Sequence, residues 1–191
     1  MRKIISVVLA TGLISLLSSI AFTQEIRIGR PFEIYTLDPA YCFGLNAELE
    51  PMDALYNGLV RYKPGTWDIE ADLAESWQMS EDEKEVVFHL RKGVQFHKGY
   101  GECTAEDVKF SFERIIDPKS EATEKPTWGP LNRVEIIDKY TVKLVFDTPF
   151  APLFTTALPL NAGFIVCKKA VEEMSSKQLT NFLAFVYGYM I

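Results

Sequence analysis

The stretch from Trp77 to Phe96 constrains the fold of this chain more than any other part of the sequence. Apolar residues alternate with polar ones around two polar turns, Ser80–Lys84 and Arg91–Gly93. Side chains that alternate in this way point to opposite faces of a strand, so one face is buried and the other meets water. We therefore expect a β-meander of antiparallel strands.

The segment after the meander predicts a helix. Thr104 is a residue type that caps helices, and Asp107 follows three positions later. The apolar residues at helical spacing are Val108, Phe112 and Ile115. A proline at position 118 ends the pattern.

Further periodic segments add another helix and more strands. Residues 46–59 carry apolar side chains spaced for one helix face, with Gly58 near the end as a stop. Residues 134–146 show a second hairpin pattern, and residues 25–29 alternate as a short first strand. These elements predict an α+β, or mixed α/β, fold class.

Residues 1–21 carry the pattern of a secretory signal peptide. Arg2 and Lys3 begin it, residues 4–20 are uncharged, and small residues precede a cut after Ala21. An uncut membrane anchor is the alternative, because the apolar stretch approaches the length of a bilayer span. Its serines and threonine weaken that alternative, so we expect an exported, periplasmic protein that is soluble after cleavage.

The numbers of basic and acidic residues indicate which classes of partner the chain can bind. The chain has 20 basic and 26 acidic residues, a net charge of −6 at pH 7, and no basic run. Surfaces that bind nucleic acid need clustered Lys and Arg to replace counterions, so no nucleic-acid partner is expected. Two of Cys42, Cys103 and Cys167 can pair in an oxidising compartment, but the sequence does not select the pair.

Catalytic and metal-binding patterns are weak in this sequence. His89, His97 and Cys103 lack the tight spacing of metal ligands, and no nucleophile elbow or phosphate-binding loop is present. Acidic pairs such as Asp72 with Glu75 flank turns and helix starts, where carboxylates have structural roles. We expect no enzyme activity, no metal and no cofactor; a periplasmic hydrolase or metalloenzyme is the weaker alternative.

Several blocks of sequence stand in a specific order and spacing. They are Leu37-Asp38-Pro39, Tyr56–Val60, Leu73–Trp77, Phe88–Val94, Thr104–Arg114 and Pro149–Pro152. Together they resemble the family 5 extracellular solute-binding proteins of ABC transporters, the oligopeptide, dipeptide and nickel receptors. The resemblance runs from about Ile26 to Met174, most of the chain after the leader.

The resemblance implies a truncated periplasmic-binding-protein-like fold, in which a domain is inserted near the start of the first of two lobes. Residues 22–48 would begin the first lobe, residues 49–160 would form the inserted α+β domain, and residues 161–174 would return to the first lobe. Residues 175–191 diverge from the family pattern. A frameshift or a truncated gene model explains that tail, and a natural short form is the alternative.

The resemblance also implies a function. The expected role is the substrate-binding component of an ABC importer for peptides or related solutes, with a permease in the inner membrane as partner. The chain lacks a counterpart of the second lobe, so we expect no solute binding by the chain alone. A short periplasmic interaction module with no transport role is the alternative.

Two positions carry residue-level expectations. The loop after Leu37-Asp38-Pro39 sits where such receptors bring backbone near the ligand, so Tyr41, Cys42 and Phe43 are candidate solute contacts; a surface loop over a packed aromatic is the alternative. Glu83 stands where the family usually has Gly. If that position needs a positive φ, Glu83 costs about 1 kcal/mol.

Overall fold

The fold was analysed in a computed structural model. It describes residues 34, 36–42 and 46–173, without the side chains of residues 46–50. The expected leader, the strand at 25–29, the candidate residue Phe43 and the tail at 175–191 lie outside the described residues.

Three α-helices, eight strands and four short 3-10 helices make up the described elements. The helices are α1 (Asn46–Leu55), α2 (Ala105–Ile116) and α3 (Lys168–Glu173). The strands are β1 (Val60–Tyr62), β2 (Ile69–Ala71), β3 (Ala74–Met79), β4 (Glu85–Leu90), β5 (Gln95–Phe96), β6 (Gly101–Glu102), β7 (Leu131–Asp138) and β8 (Thr141–Phe146). The mixed α and β composition confirms the predicted fold class.

The central sheet has four antiparallel strands in the order β3-β4-β8-β7. Its inner strand β4 buries Val86, Phe88 and Leu90, while the intervening residues are half-buried. This is the alternation that the sequence predicts, and it places His89 on the opposite face, 3.5 Å from the Thr141 hydroxyl. The pairs β1–β2 and β5–β6 form separate two-stranded sheets.

Helix α2 packs against the sheet through its apolar side. Val108, Phe112 and Ile115 are buried there, and the Phe112 ring lies 4.3 Å from the Trp128 ring. The first turn is capped by Asp107, whose Oδ2 accepts the Thr104 N–H at 3.0 Å. The start and end predicted for this helix are therefore confirmed.

Two predictions about elements are wrong. The third strand of the meander does not join β4, because Gly93 adopts φ 80° and turns the chain away; residues 95–96 pair with β6 instead. The first helix ends at Leu55 rather than near Gly58. Gly58 forms an antiparallel bridge with Phe164, where a Cβ would lie 3.0 Å from the Leu158 and Val60 carbonyl oxygens.

The buried apolar residues form two clusters. The larger one fills the space between the central sheet, α2 and residues 153–165. The second lies beside it and consists of Leu37, Cys42, Met52, Tyr56, Phe164 and Val166. Among the described residues, no helix is long and apolar enough to cross a membrane.

Candidate functional site

The loop at residues 36–42 is shaped by Asp38. The Ala40 N–H donates to Asp38 Oδ1 at 3.0 Å, and the Tyr41 N–H donates to the Asp38 carbonyl at 3.0 Å. The Asp38 N–H in turn donates to Thr36 Oγ1 at 3.0 Å. Aspartate side chains that bind the backbone two residues on, followed by proline, favour tight turns, so this segment forms a turn from its own residues.

An arginine from α2 holds the same carboxylate from outside the loop. Arg114 Nη1 donates to Asp38 Oδ2 at 3.0 Å, and Nη2 donates to Oδ1. The Asp38 and Arg114 side chains are only 4% and 15% exposed. A bidentate guanidinium–carboxylate pair with little solvent around it fixes orientation as well as distance.

A second segment, residues 122–125, backs the loop. Thr123 Oγ1 donates to the Cys42 carbonyl at 3.0 Å, and the Glu124 N–H donates to the Ala40 carbonyl at 3.3 Å. The loop is therefore held on two sides, by α2 and by this segment.

The candidate solute contacts occupy different environments within this loop. The Tyr41 residue is 42% exposed, so its side chain is available at the surface. Cys42 is fully buried in the second apolar cluster, and its carbonyl accepts from Thr123 Oγ1, so neither its side chain nor its backbone is exposed in this structure. Phe43 lies outside the described residues.

Sequence reasoning missed three residues that build this loop: Arg114, Thr123 and Glu124. Their partners in the loop lie 76 to 84 residues earlier in the chain. Periodicity and turn chemistry report only local structure, and neither identifies a distant partner for Arg114. No signal in a single sequence links such distant positions.

The environments of Cys103 and Cys167 disfavour the thiolate form. Burial raises the pKa of the Cys103 thiol well above its usual range, with Asp107 and Cys167 adding to the shift, and burial also raises the pKa of Cys167. A thiolate is the reactive and metal-binding form, so both environments favour the unreactive thiol. No group of three or more His, Cys, Asp or Glu side chains in the described part of the chain is arranged to hold a metal.

Asp72, one member of the acidic pair noted in the sequence, has structural hydrogen bonds. Asp72 accepts from the Asn57 amide at 2.9 and 3.1 Å and from the Gly58 N–H at 3.1 Å. Burial nevertheless raises the pKa of Asp72, and it raises that of Asp107, which caps α2. Each carboxylate thus holds backbone or a neighbouring side chain in place.

A cavity of about 720 Å³ lies on another part of the surface. Its charged lining residues are Arg61, Asp72, Glu75, Arg91 and Lys92. The loop at 36–42 does not line it. Both charge signs are present in the cavity, and Arg61 is already paired with Glu70 at 2.8 Å, so the lining selects no single class of ligand.

Known proteins similar to this chain are bacterial solute-binding proteins. The family model described as "Bacterial extracellular solute-binding proteins, family 5 Middle" matches residues 68–183. Di/tripeptide-binding protein 2 of Pseudomonas aeruginosa is 34% identical over 149 residues, which cover 65% of this chain and 28% of that protein. The probable D,D-dipeptide-binding periplasmic protein DdpA of Escherichia coli is 34% identical over 164 residues, covering 82% and 30% respectively.

A solved structure agrees with these relatives. The periplasmic binding protein MoaA from A. tumefaciens R10, in complex with mannopinic acid, matches with TM-score 0.69 and 33% identity over 76% of this chain and 29% of that one. The resemblance drawn from the sequence blocks and the expected fold are thereby confirmed. The chain spans less than a third of the length of each of these proteins.

Proposed function

We propose that this chain, which belongs to the family 5 bacterial extracellular solute-binding proteins, forms part of the substrate-binding component of an ABC importer for peptides or related solutes. The family match over residues 68–183 carries the proposal. Two relatives are named for dipeptides or tripeptides, and one structural neighbour holds mannopinic acid, which supports a solute class broader than peptides alone.

Within that component, the central sheet and α2 would form a domain inserted into the first lobe. Two contacts between residues 57–58, where the chain enters the sheet region, and residues 164–165, where it leaves, support this arrangement. Gly58 bridges Phe164, and the Ile165 N–H donates to the Asn57 carbonyl at 2.9 Å, so the chain enters and leaves the sheet region side by side. Helix α1 packs in the second cluster with Phe164. We propose domain boundaries near Gly58 and Phe164, where the sequence resemblance implies residues 49 and 160.

The loop at 36–42 would contribute to the solute-binding cleft. Its exposed aromatic residue, Tyr41, stands on a turn that is held from two sides, and a rigid aromatic side chain gives contact area at low entropy cost. Cys42 and Phe43 remain part of the proposal on the sequence resemblance alone.

Transport in such a component would follow hinge closure. A solute that contacts both lobes binds the closed state more tightly than the open one, and this difference in affinity shifts the population toward closure. The closed form would then deliver the solute to a permease in the inner membrane. Residues 1–21 would direct the chain across that membrane as a cleaved leader.

A domain exchange tests the proposal. Residues 58–164 of this chain would replace the matching segment of Di/tripeptide-binding protein 2, and dipeptide binding would be measured by calorimetry. If the segment is a scaffold for a peptide-binding cleft, the chimera keeps an affinity within about tenfold of the parent, which is about 1.4 kcal/mol. A chimera that folds by circular dichroism but binds no dipeptide would contradict the proposal.

The chain of 191 residues serves as the second arm of that experiment. Because it covers 28% of Di/tripeptide-binding protein 2, a cleft between two lobes needs residues beyond it. We expect the chain alone to give no saturable dipeptide isotherm. A saturable isotherm would show that these residues form a complete binding site, against the proposal.

A further inference from the structure

Three polar residues of α2 share one face of the helix. The helix turns by about 100° per residue. Relative to Asp107, Ser111 is therefore rotated by about +40° around the helix axis, and Arg114 by about −20°. Asp107 and Ser111 are 8% and 1% exposed. Polar groups this deeply buried need partners, so the face has a specific environment.

Each of the three residues binds a segment outside the central sheet. Asp107 Oδ1 accepts the Lys168 N–H at 3.0 Å, and Ser111 Oγ accepts the Val166 N–H at 2.9 Å. Arg114 binds the Asp38 carboxylate with two hydrogen bonds. One helix face therefore holds the loop at 36–42 and the segment at 166–168 at the same time.

Tyr56 links the loop at 36–42 to Phe164, which precedes the segment at 166–168. Its hydroxyl donates to the Leu37 carbonyl at 2.9 Å, and its ring stacks on Phe164 with 5.9 Å between centroids. The helix face and Tyr56 thus both contact the loop. The position of the loop relative to the sheet is set by these distant contacts, because its internal hydrogen bonds fix only its own turn.

The geometry at Arg114 requires a guanidinium. Nη1 and Nη2 each take one oxygen of Asp38, while Nε finds no acceptor among the described residues. Asp38 Oδ1 also accepts the Ala40 N–H, so the carboxylate that Arg114 holds is the one that shapes the turn before Tyr41. A lysine ammonium is a point charge and does not reproduce the planar two-oxygen contact.

We propose that Asp38 and Arg114 are positioning residues for solute binding: the pair fixes the loop that carries Tyr41 to α2, and Asp107 and Ser111 fix the segment at 166–168 to the same face. The proposal rests on the proposed function insofar as the loop contacts solute. The positioning itself is a property of this chain and is measurable without solute.

Amide hydrogen exchange of the 191-residue chain tests the positioning. The variants are Arg114→Met, which removes the pair, and Arg114→Lys, which keeps the charge and serves if the first fails to fold. Arg133→Met is the matched control, because Arg133 forms an exposed pair with Glu135 on edge strand β7. The amides followed are those of Ala40 and Tyr41 in the loop, with those of inner strand β4 as reference.

In both Arg114 variants we expect Ala40 and Tyr41 to exchange at least about tenfold faster, with β4 within about twofold of the unmodified chain, because local opening exchanges only the segment released. The Arg133 variant leaves both regions unchanged. Loop exchange that is unaltered, or that rises together with β4 by a common factor, would overturn the proposal, since the second result describes a residue that only stabilises the whole fold. Because no solute is present, this result stands whether or not the chimera binds dipeptide.

Discussion

At the residue scale, Glu83 is a strained position that the sequence anticipated. Its φ is 56°, in the left-handed region that disfavours residues with a Cβ. The side chain is exposed in the β3–β4 turn, and the Glu83 N–H donates to the Ser80 carbonyl at 3.0 Å. The strain is therefore in the backbone and does not depend on what the carboxylate contacts.

Replacing Glu83 with glycine is expected to stabilise the chain. Glycine adopts this conformation without the Cβ clash, so Glu83→Gly should raise the free energy of unfolding by about 1 kcal/mol. The measurement is urea unfolding followed by circular dichroism. Glu81→Gly in the same turn is the control and should lower stability slightly, because it adds chain entropy to the unfolded state without relieving strain. Equal effects of the two changes would contradict this explanation.

The sequence did not predict how exposed individual residues of the candidate site are. Tyr41 and Cys42 were proposed together from one block, yet one is at the surface and the other is fully buried. The difference follows from the second cluster, where Cys42 packs with Phe164 and Val166 from the far end of the chain. Burial of this kind depends on tertiary contacts, which local residue patterns do not contain.

At the element scale, local patterns predicted strands and the main helix well but not their neighbours. The alternation in β4 and the cap at Thr104 with Asp107 both hold. The partner of β4 on its second side is β8, more than 50 residues later, rather than the next strand of the expected meander. Alternation predicts which face of a strand is buried, but it does not identify the neighbouring strand.

The small ribbon β5–β6 is tied to the turn before β8 by one carboxylate. Glu102 accepts from Lys139 Nζ at 2.7 Å, the Gly93 N–H at 2.6 Å and the Tyr140 hydroxyl at 2.9 Å. The Lys139 hydrogen bond, followed by those from Gly93 and Tyr140, lowers the pKa of Glu102 to about 2. The ionised form is thus favoured by the folded state.

This lowered pKa predicts an acid-dependent loss of stability. A carboxyl whose pKa is lower in the folded than in the unfolded chain stabilises above its unfolded value, near 4.5, and that contribution disappears as the pH falls toward 2. Glu102→Gln should therefore be less stable than the unmodified chain at pH 7, with the gap closing between pH 5 and about pH 2. Urea unfolding across this range measures it. Tyr140→Phe, which removes one of three donors, should show a smaller effect of the same trend; a gap that does not change with pH would contradict the assignment.

At the scale of the whole molecule, the buried apolar residues of the described structure form two clusters. The larger cluster involves the central sheet and α2, and the second cluster gathers residues from α1, the loop at 36–42 and the segment around Phe164 and Val166. Family membership was predictable because several spaced blocks agree. The packing of α2 against Val166 and against the loop at 36–42 was not predictable, because it depends on contacts between residues 55 to 76 positions apart in the chain.

In the proposed function the central sheet and α2 form a scaffold, and the loop at 36–42 contacts the solute. The most direct test uses a chimera of Di/tripeptide-binding protein 2 that carries residues 36–164 of this chain, and compares two exposed aromatic residues. Trp67, 87% exposed at the tip of the β1–β2 hairpin, is the matched control for Tyr41.

The measurement is the calorimetric affinity of this chimera for a dipeptide. We predict that Tyr41→Ala weakens binding by about tenfold, which is about 1.4 kcal/mol, while Trp67→Ala leaves it unchanged. An unchanged affinity for Tyr41→Ala, or a loss confined to Trp67→Ala, would contradict the assignment of the loop as the solute contact.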